Sequence, residues 1–92
     1  VSARLITIQN KLGLHARAAA KWVSLASRFS CQIRLGRSED AAKCVDGKSI
    51  MSVMLLAAGK GRQLYLHCEG EDQEKAETAL VALVDNLFDE GI

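Results

Sequence analysis

Gly13-Leu14-His15-Ala16-Arg17 is the stretch of this 92-residue sequence whose residue types and spacing could do chemistry. Glycine marks a loop and the alanines after His15 favour a helix, so the imidazole stands where loop becomes helix. The N–H groups that open a helix lack intrahelical acceptors, and with the helix dipole they favour an anion at that junction. Neutral imidazole has a lone pair able to attack phosphorus. Arg17, with the backbone N–H groups of Ala16, Arg17 and Ala18, can offset charge on a transferred phosphoryl group. The same spacing fits a histidine that only caps or packs against the helix, with Arg17 as a surface cation. Residue types alone leave both readings open.

Ser49 is the second position of interest, because the apolar run Ile50, Met51, Val53, Met54, Leu55 and Leu56 follows it. Its hydroxyl can cap a helix beginning there, and a phosphate on it would add charge at the favourable helix end. Plain capping and regulatory phosphorylation are both compatible with that placement. The run is apolar over more than one helical face, so Met51 or Leu55 is expected to stay outside as a contact surface. Ile50, Met51, Met54 and Leu55, with Arg17, Lys21 and Lys48, suggest an apolar docking centre with a basic rim for acidic partners. The competing reading makes Ile50 and Met54 core residues and Met51 a gap filler.

Other candidates carry less chemistry. His67 stands beside Cys68 but lacks the converging ligand set of a zinc site, and a structural role is expected. Gly59-Lys60-Gly61 lacks the longer glycine loop and the Ser or Thr of a nucleotide-binding loop, so it reads as a turn. Cys31, Cys44 and Cys68 form an odd set without a Cys-x-x-Cys pair, which points to three reduced, packed thiols.

Twelve basic and eleven acidic residues leave a net charge of +1, which gives no general attraction to nucleic acid or an anionic membrane. Arg34, Arg37, Lys43, Lys60 and Arg62 are interspersed with acids and lack aromatic stacking positions, so nucleic-acid recognition is not expected. Apolar residues make up 49% of the chain, which excludes disorder as its bulk state. A chain this long makes one small domain, expected over residues 1–92, burying roughly 60 to 65% of its unfolded surface. No run of about twenty apolar residues occurs, and Val1 to Ile8 does not read as a signal sequence. A cytoplasmic protein without membrane insertion is the expectation.

The elements that must position these groups follow from periodicity. Arg4 to Ile8 alternates as a first strand, Asn10, Lys11 and Gly13 make a turn, and helical spacing starts at Ala16. Ala19, Trp22, Val23 and Ala26 form that helix's apolar face. Cys31 to Leu35 reads as a second strand and Ala42 to Val45 as a weaker third, after a turn over Arg37 to Ala41. A short helix follows Ser49, a fourth strand runs through Gln63 to His67, and a long amphipathic helix follows Asp72. The fold class is therefore α+β, in the order β-α-β-β-α-β-α, with a four-stranded sheet covered by helices.

Asn10 to Ala20, NKLGLHARAAA, resembles the active segment of the histidine-containing phosphocarrier proteins, the HPr family of the bacterial phosphotransferase system. Lys48-Ser49-Ile50-Met51, Gly59-Lys60-Gly61 and Gly70-Glu71-Asp72 fall in that family's order, so the resemblance spans nearly the whole chain. It implies an open-faced β-sandwich, a phosphohistidine formed through Nδ1 of His15, and Arg17 as the active-centre cation. Enzyme I is the implied donor and an enzyme IIA protein the acceptor. Ser49 matches the regulatory serine of some members, which implies a serine kinase or regulatory partners. Transient docking goes with a monomer, and no prosthetic group, nucleotide or metal is implied. Gly59-Lys60-Gly61-Arg62-Gln63 resembles the nitrogen-related branch, while Lys48-Ser49-Ile50-Met51 also resembles the sugar-transport branch. A regulatory binding protein without phosphoryl turnover is the remaining alternative. One departure stands out: the family usually has proline where this sequence has Ala18, which should leave the phosphate site intact with more backbone freedom.

Overall fold

The computed structural model describes residues 3–56 and 59–89. Residues 1 and 2, part of the Val1 to Ile8 reading, lie outside them. Four strands, β1 (Ala3–Thr7), β2 (Gln32–Gly36), β3 (Val45–Asp46) and β4 (Gln63–Glu69), form one sheet in the order β1-β4-β2-β3, with every neighbouring pair antiparallel. Alternation decides which face each residue serves. Ile6, Ile33, Leu35, Leu64, Leu66 and Cys68 are buried against the helices. Leu5 pairs with Tyr65 on the opposite, open face.

Helices α1 (Ala16–Ala26), α2 (Ile50–Leu55) and α3 (Gln73–Asp85) cover one side of that sheet, with α1 touching both of the others. The expected α+β architecture and element order are those observed. Trp22 lies fully buried on α1, and its indole N–H donates to Gly47 O at 3.0 Å, so its polar handle is satisfied in the core.

One element differs from its expectation. Ala42 to Val45 does not form a strand: Ala41–Lys43 makes a single 3₁₀ turn, and only Val45–Asp46 pairs with β2. The cause is local competition, because Asp40 Oδ1 accepts from Ala42 N–H at 3.0 Å and caps a turn where alternation favoured an extended chain. The residues just before this turn, Ser38 and Glu39, meet the open face. His67 Nε2 donates to Ser38 O at 3.2 Å, and the Tyr65 hydroxyl donates to Glu39 Oε1 at 3.3 Å. His67 thus has a structural role, as its sequence setting suggested.

The chain ends α3 abruptly. Leu87 and Phe88 both adopt left-handed conformations, with φ of 56° and 52°, which costs about 1–2 kcal/mol per residue. That reversal turns Phe88 into the core, where full burial contributes about 1.5–3 kcal/mol. Lys21 Nζ on α1 donates to Phe88 O at 2.9 Å and secures the turn.

Candidate functional site

The segment after β1 delivers His15 to the start of α1. Ile8 is held to the neighbouring turn by Ile8 N–H to Arg62 O, 2.9 Å, and by Gly61 N–H to Ile8 O, 2.7 Å. The chain then reverses between Asn10 and Gly13, where Gly13 N–H donates to Asn10 O at 3.2 Å and Gly13 takes φ of 68°, a conformation glycine adopts without steric cost. Leu14 inserts into the core. His15 follows as the N-cap residue, half-buried and in extended backbone geometry.

The geometry defines the imidazole's chemistry. Arg17 N–H donates to His15 Nδ1 at 3.2 Å. An N–H can only donate, so Nδ1 is the unprotonated nitrogen, its lone pair is directed at the helix start, and the neutral ring carries its proton on Nε2. Ala19 N–H bonds His15 O at 2.8 Å, the first intrahelical acceptor on α1, so the amides of Ala16, Arg17 and Ala18 precede the regular ladder. The first turn contains no acidic residue. Arg17 is exposed, and among the described residues no carboxylate pairs with it. A nucleophilic nitrogen, helix-opening N–H groups ahead of the regular ladder and an exposed cation therefore share one end of one helix.

The other singled-out residues divide into two groups. Ser49 caps α2, its hydroxyl accepting from Ser52 N–H at 3.3 Å. Ile50, Met51, Met54 and Leu55 are exposed on α2, Met51 by 71% and Leu55 by 77%, so Ile50 and Met54 are not core residues. Lys21 and Lys48 are not loose rim cations. Lys21 holds Phe88 O, and Lys48 Nζ donates to Phe29 O at 2.6 Å just beyond the end of α1. Both ammonium groups satisfy carbonyls near helix ends, a use that spacing could not reveal.

Sequence reading missed the work of Asp72. It precedes α3 as expected, yet its carboxylate makes no cap bond to that helix. It accepts instead from Ser30 N–H and Cys31 N–H, each at 2.9 Å, tying the start of β2 to the start of α3. Those donors, Ser30 N–H foremost, hold the carboxyl below its ordinary range. All three cysteines are free and buried. Burial, then the neighbouring Cys31, pushes the Cys68 thiol up to about 12, so it stays neutral and unreactive near pH 7.

Comparison with known proteins now decides the family. The family description "PTS HPr component phosphorylation site" matches residues 3–86. The chain belongs to the HPr family. Phosphocarrier protein HPr of Pseudomonas aeruginosa is 64% identical over 86 residues, covering 94% of this chain and 93% of that protein. The crystal structure of HPr-C-His from Thermoanaerobacter tengcongensis superposes with a TM-score of 0.90 at 42% identity, covering 100% of both chains. Phosphocarrier protein NPr of Shewanella violacea is 42% identical over 87 residues, covering 95% of this chain and 92% of that protein. HPr membership makes the chain a phosphoryl carrier and not an independent metabolic enzyme. The nitrogen-related expectation from Gly59 to Gln63 is the less favoured one, and the sugar-transport alternative fits the HPr relatives better. Among the described residues no helix is long and apolar enough to cross a membrane.

Proposed function

We propose that His15 is the phosphoryl-carrying residue of a cytoplasmic HPr protein in the sugar-transport branch, receiving phosphate from enzyme I and passing it to an enzyme IIA component. The observation that carries this reading is the Arg17 N–H bond to Nδ1, which directs the ring's lone pair to a helix start able to bind an anion. Nδ1 attacks the phosphorus of the donor's phosphohistidine. One N–P bond forms as the other breaks, the electron pair returns to the donor ring, and each ring keeps its remaining N–H proton. As phosphorus occupies the Nδ1 lone pair, Arg17 N–H transfers its hydrogen bond from nitrogen to a phosphoryl oxygen. Ala16 and Ala18 supply further N–H donors, and the Arg17 guanidinium offsets the remaining charge. The exposed α2 side chains dock partners transiently, with the carrier acting as a monomer. Ser49 is the candidate target of a serine kinase, since phosphate at that cap adds charge beside the docking surface.

Incubation with purified enzyme I and phosphoenolpyruvate tests the assignment. Wild type should gain one acid-labile phosphate and pass it to enzyme IIA, while His15→Ala should gain none. Undiminished acid-labile labelling of His15→Ala places the phosphate elsewhere. Stable partner binding without labelling supports the non-transferring alternative.

A further inference from the structure

We propose that Asn10 is a positioning residue for phosphoryl transfer at His15, an inference that rests on the assignment of His15 above. Asn10 lies in the turn before the site between exposed Gln9 and Lys11, yet its own exposure is 0%. Asparagine in a surface turn ordinarily faces water, and a buried carboxamide is destabilising unless its hydrogen bonds are supplied. Here Asn10 Nδ2 donates to Gly13 O at 2.8 Å, across the same turn in which Gly13 N–H returns to Asn10 O. The side chain therefore closes the turn a second time.

This matters because the segment is clamped at both ends. Ile8 is pinned to Gly61 and Arg62, and Leu14 is buried, so the turn from Asn10 to Gly13 connects two fixed points. The direction of the chain leaving Gly13 sets where His15 begins, and Nδ1 must arrive 3.2 Å from Arg17 N–H. A displacement of about 1 Å at a reacting centre can cost about 100-fold in rate, so a turn closed by this buried side-chain bond as well as by its backbone bond has leverage on the chemistry. Asn10 itself cannot touch a partner protein. Its loss should therefore slow transfer within the complex without weakening formation of the complex.

Single-turnover transfer from phosphorylated enzyme I should be measured for wild type, Asn10→Ala and Asn10→Ser, with His15→Ala as the blank. Nuclear magnetic resonance of the His15 ring nitrogens and Arg17 amide accompanies the kinetics. Asn10→Ala should transfer at least about tenfold more slowly at saturating donor, with little change in half-saturating concentration and with shifted His15 and Arg17 signals. Asn10→Ser, whose hydroxyl can donate to Gly13 O, should recover part of the rate. A folded Asn10→Ala with unchanged saturating rate and signals overturns the proposal, as does a loss confined to the half-saturating concentration. Should Asn10→Ala not fold, Asn10→Asp replaces it, because a carboxylate keeps the shape but cannot donate; equal rates for the Asp and Ser variants overturn the proposal. Absence of phosphate on wild-type His15 defeats the carrier assignment, while the ring signals of the variants still decide whether Asn10 positions the histidine.

Discussion

The N-termini of α1 and α3 share a dipole and differ in nearly everything else. At α1 the cap is His15, the first turn has no acidic residue, and Arg17 stands exposed. At α3 the cap is Asp72, Glu74 occupies the first turn, and Glu71 precedes them. A groove of about 640 Å³ lies at α3 and is lined by those three carboxylates and by Lys75. The net negative charge there disfavours a phosphate that the dipole alone would attract. The two carboxyl and imidazole caps also face different tasks. His15 keeps its lone pair at its own helix, whereas Asp72 spends its oxygens on the β2 start and fastens the fold.

Giving α1 the charge of α3 is the most damaging test of that contrast. Arg17→Glu should lower the rate of transfer to His15 by about 10²–10³-fold, the scale of losing a preorganised charge partner, and the added repulsion pushes toward the upper value. The Arg17 side chain is exposed, so thermal melting should stay close to wild type. Stopped quench kinetics with phosphorylated enzyme I provides the measurement. A rate within threefold of wild type would mean that the backbone donors alone carry the charge and that the comparison between the helix starts rests on the wrong group.

Asp72→Asn probes the other helix start and should change stability without changing transfer. Asp72 has a folded pKa below its unfolded value, so its carboxylate favours the folded chain above the ordinary aspartate pKa. That contribution declines as pH falls toward and through the lowered folded pKa. Urea melts at a series of pH values should therefore show a smaller acid-side loss of stability for Asp72→Asn, with the two proteins converging at the lowest pH. Parallel curves across this range would remove the carboxylate from the account of acid unfolding.

How much could be read in advance depended on whether a residue's role is local. His15, Arg17 and Ser49 act within one turn of the chain, and their placement at helix starts followed from glycine, alanine and apolar spacing. The helices and strands were legible for the same reason. Ala42 to Val45 was misread because its weak alternation could not reveal the Asp40 cap that wins locally. The bonds of Asp72, Lys21 and Lys48 went unseen for a different cause: their partners lie 41 or 42, 67 and 19 residues away along the chain. A charge in a sequence does not say which distant carbonyl or amide it will meet. Asn10 carried a faint signal, an asparagine three residues before a glycine, which indicates a turn but not that its side chain is buried.

Ala18 offers the smallest and finest test, because it alters α1 without altering its charge. Ala18→Pro removes one amide ahead of Ala19, the first residue to bond along the helix, and leaves the Arg17 N–H that meets Nδ1. Proline fits the first turn and restricts the unfolded chain, which should add about 0.4–1 kcal/mol of stability. Two effects oppose this: proline disfavours helical geometry at Arg17, and its ring must fit where Ala18 is fully buried. The family resemblance implies a fold that accommodates a proline ring at this place, so a small net rise in melting temperature is expected. Transfer should change by less than about tenfold, since a single hydrogen bond between partners that both have water as an alternative is worth about 0.5–1.5 kcal/mol. Single-turnover rates and melting curves on the same preparation separate the two contributions. A 100-fold fall in rate with a raised melting temperature would make Ala18 N–H the principal phosphoryl donor and displace Arg17 N–H from that role.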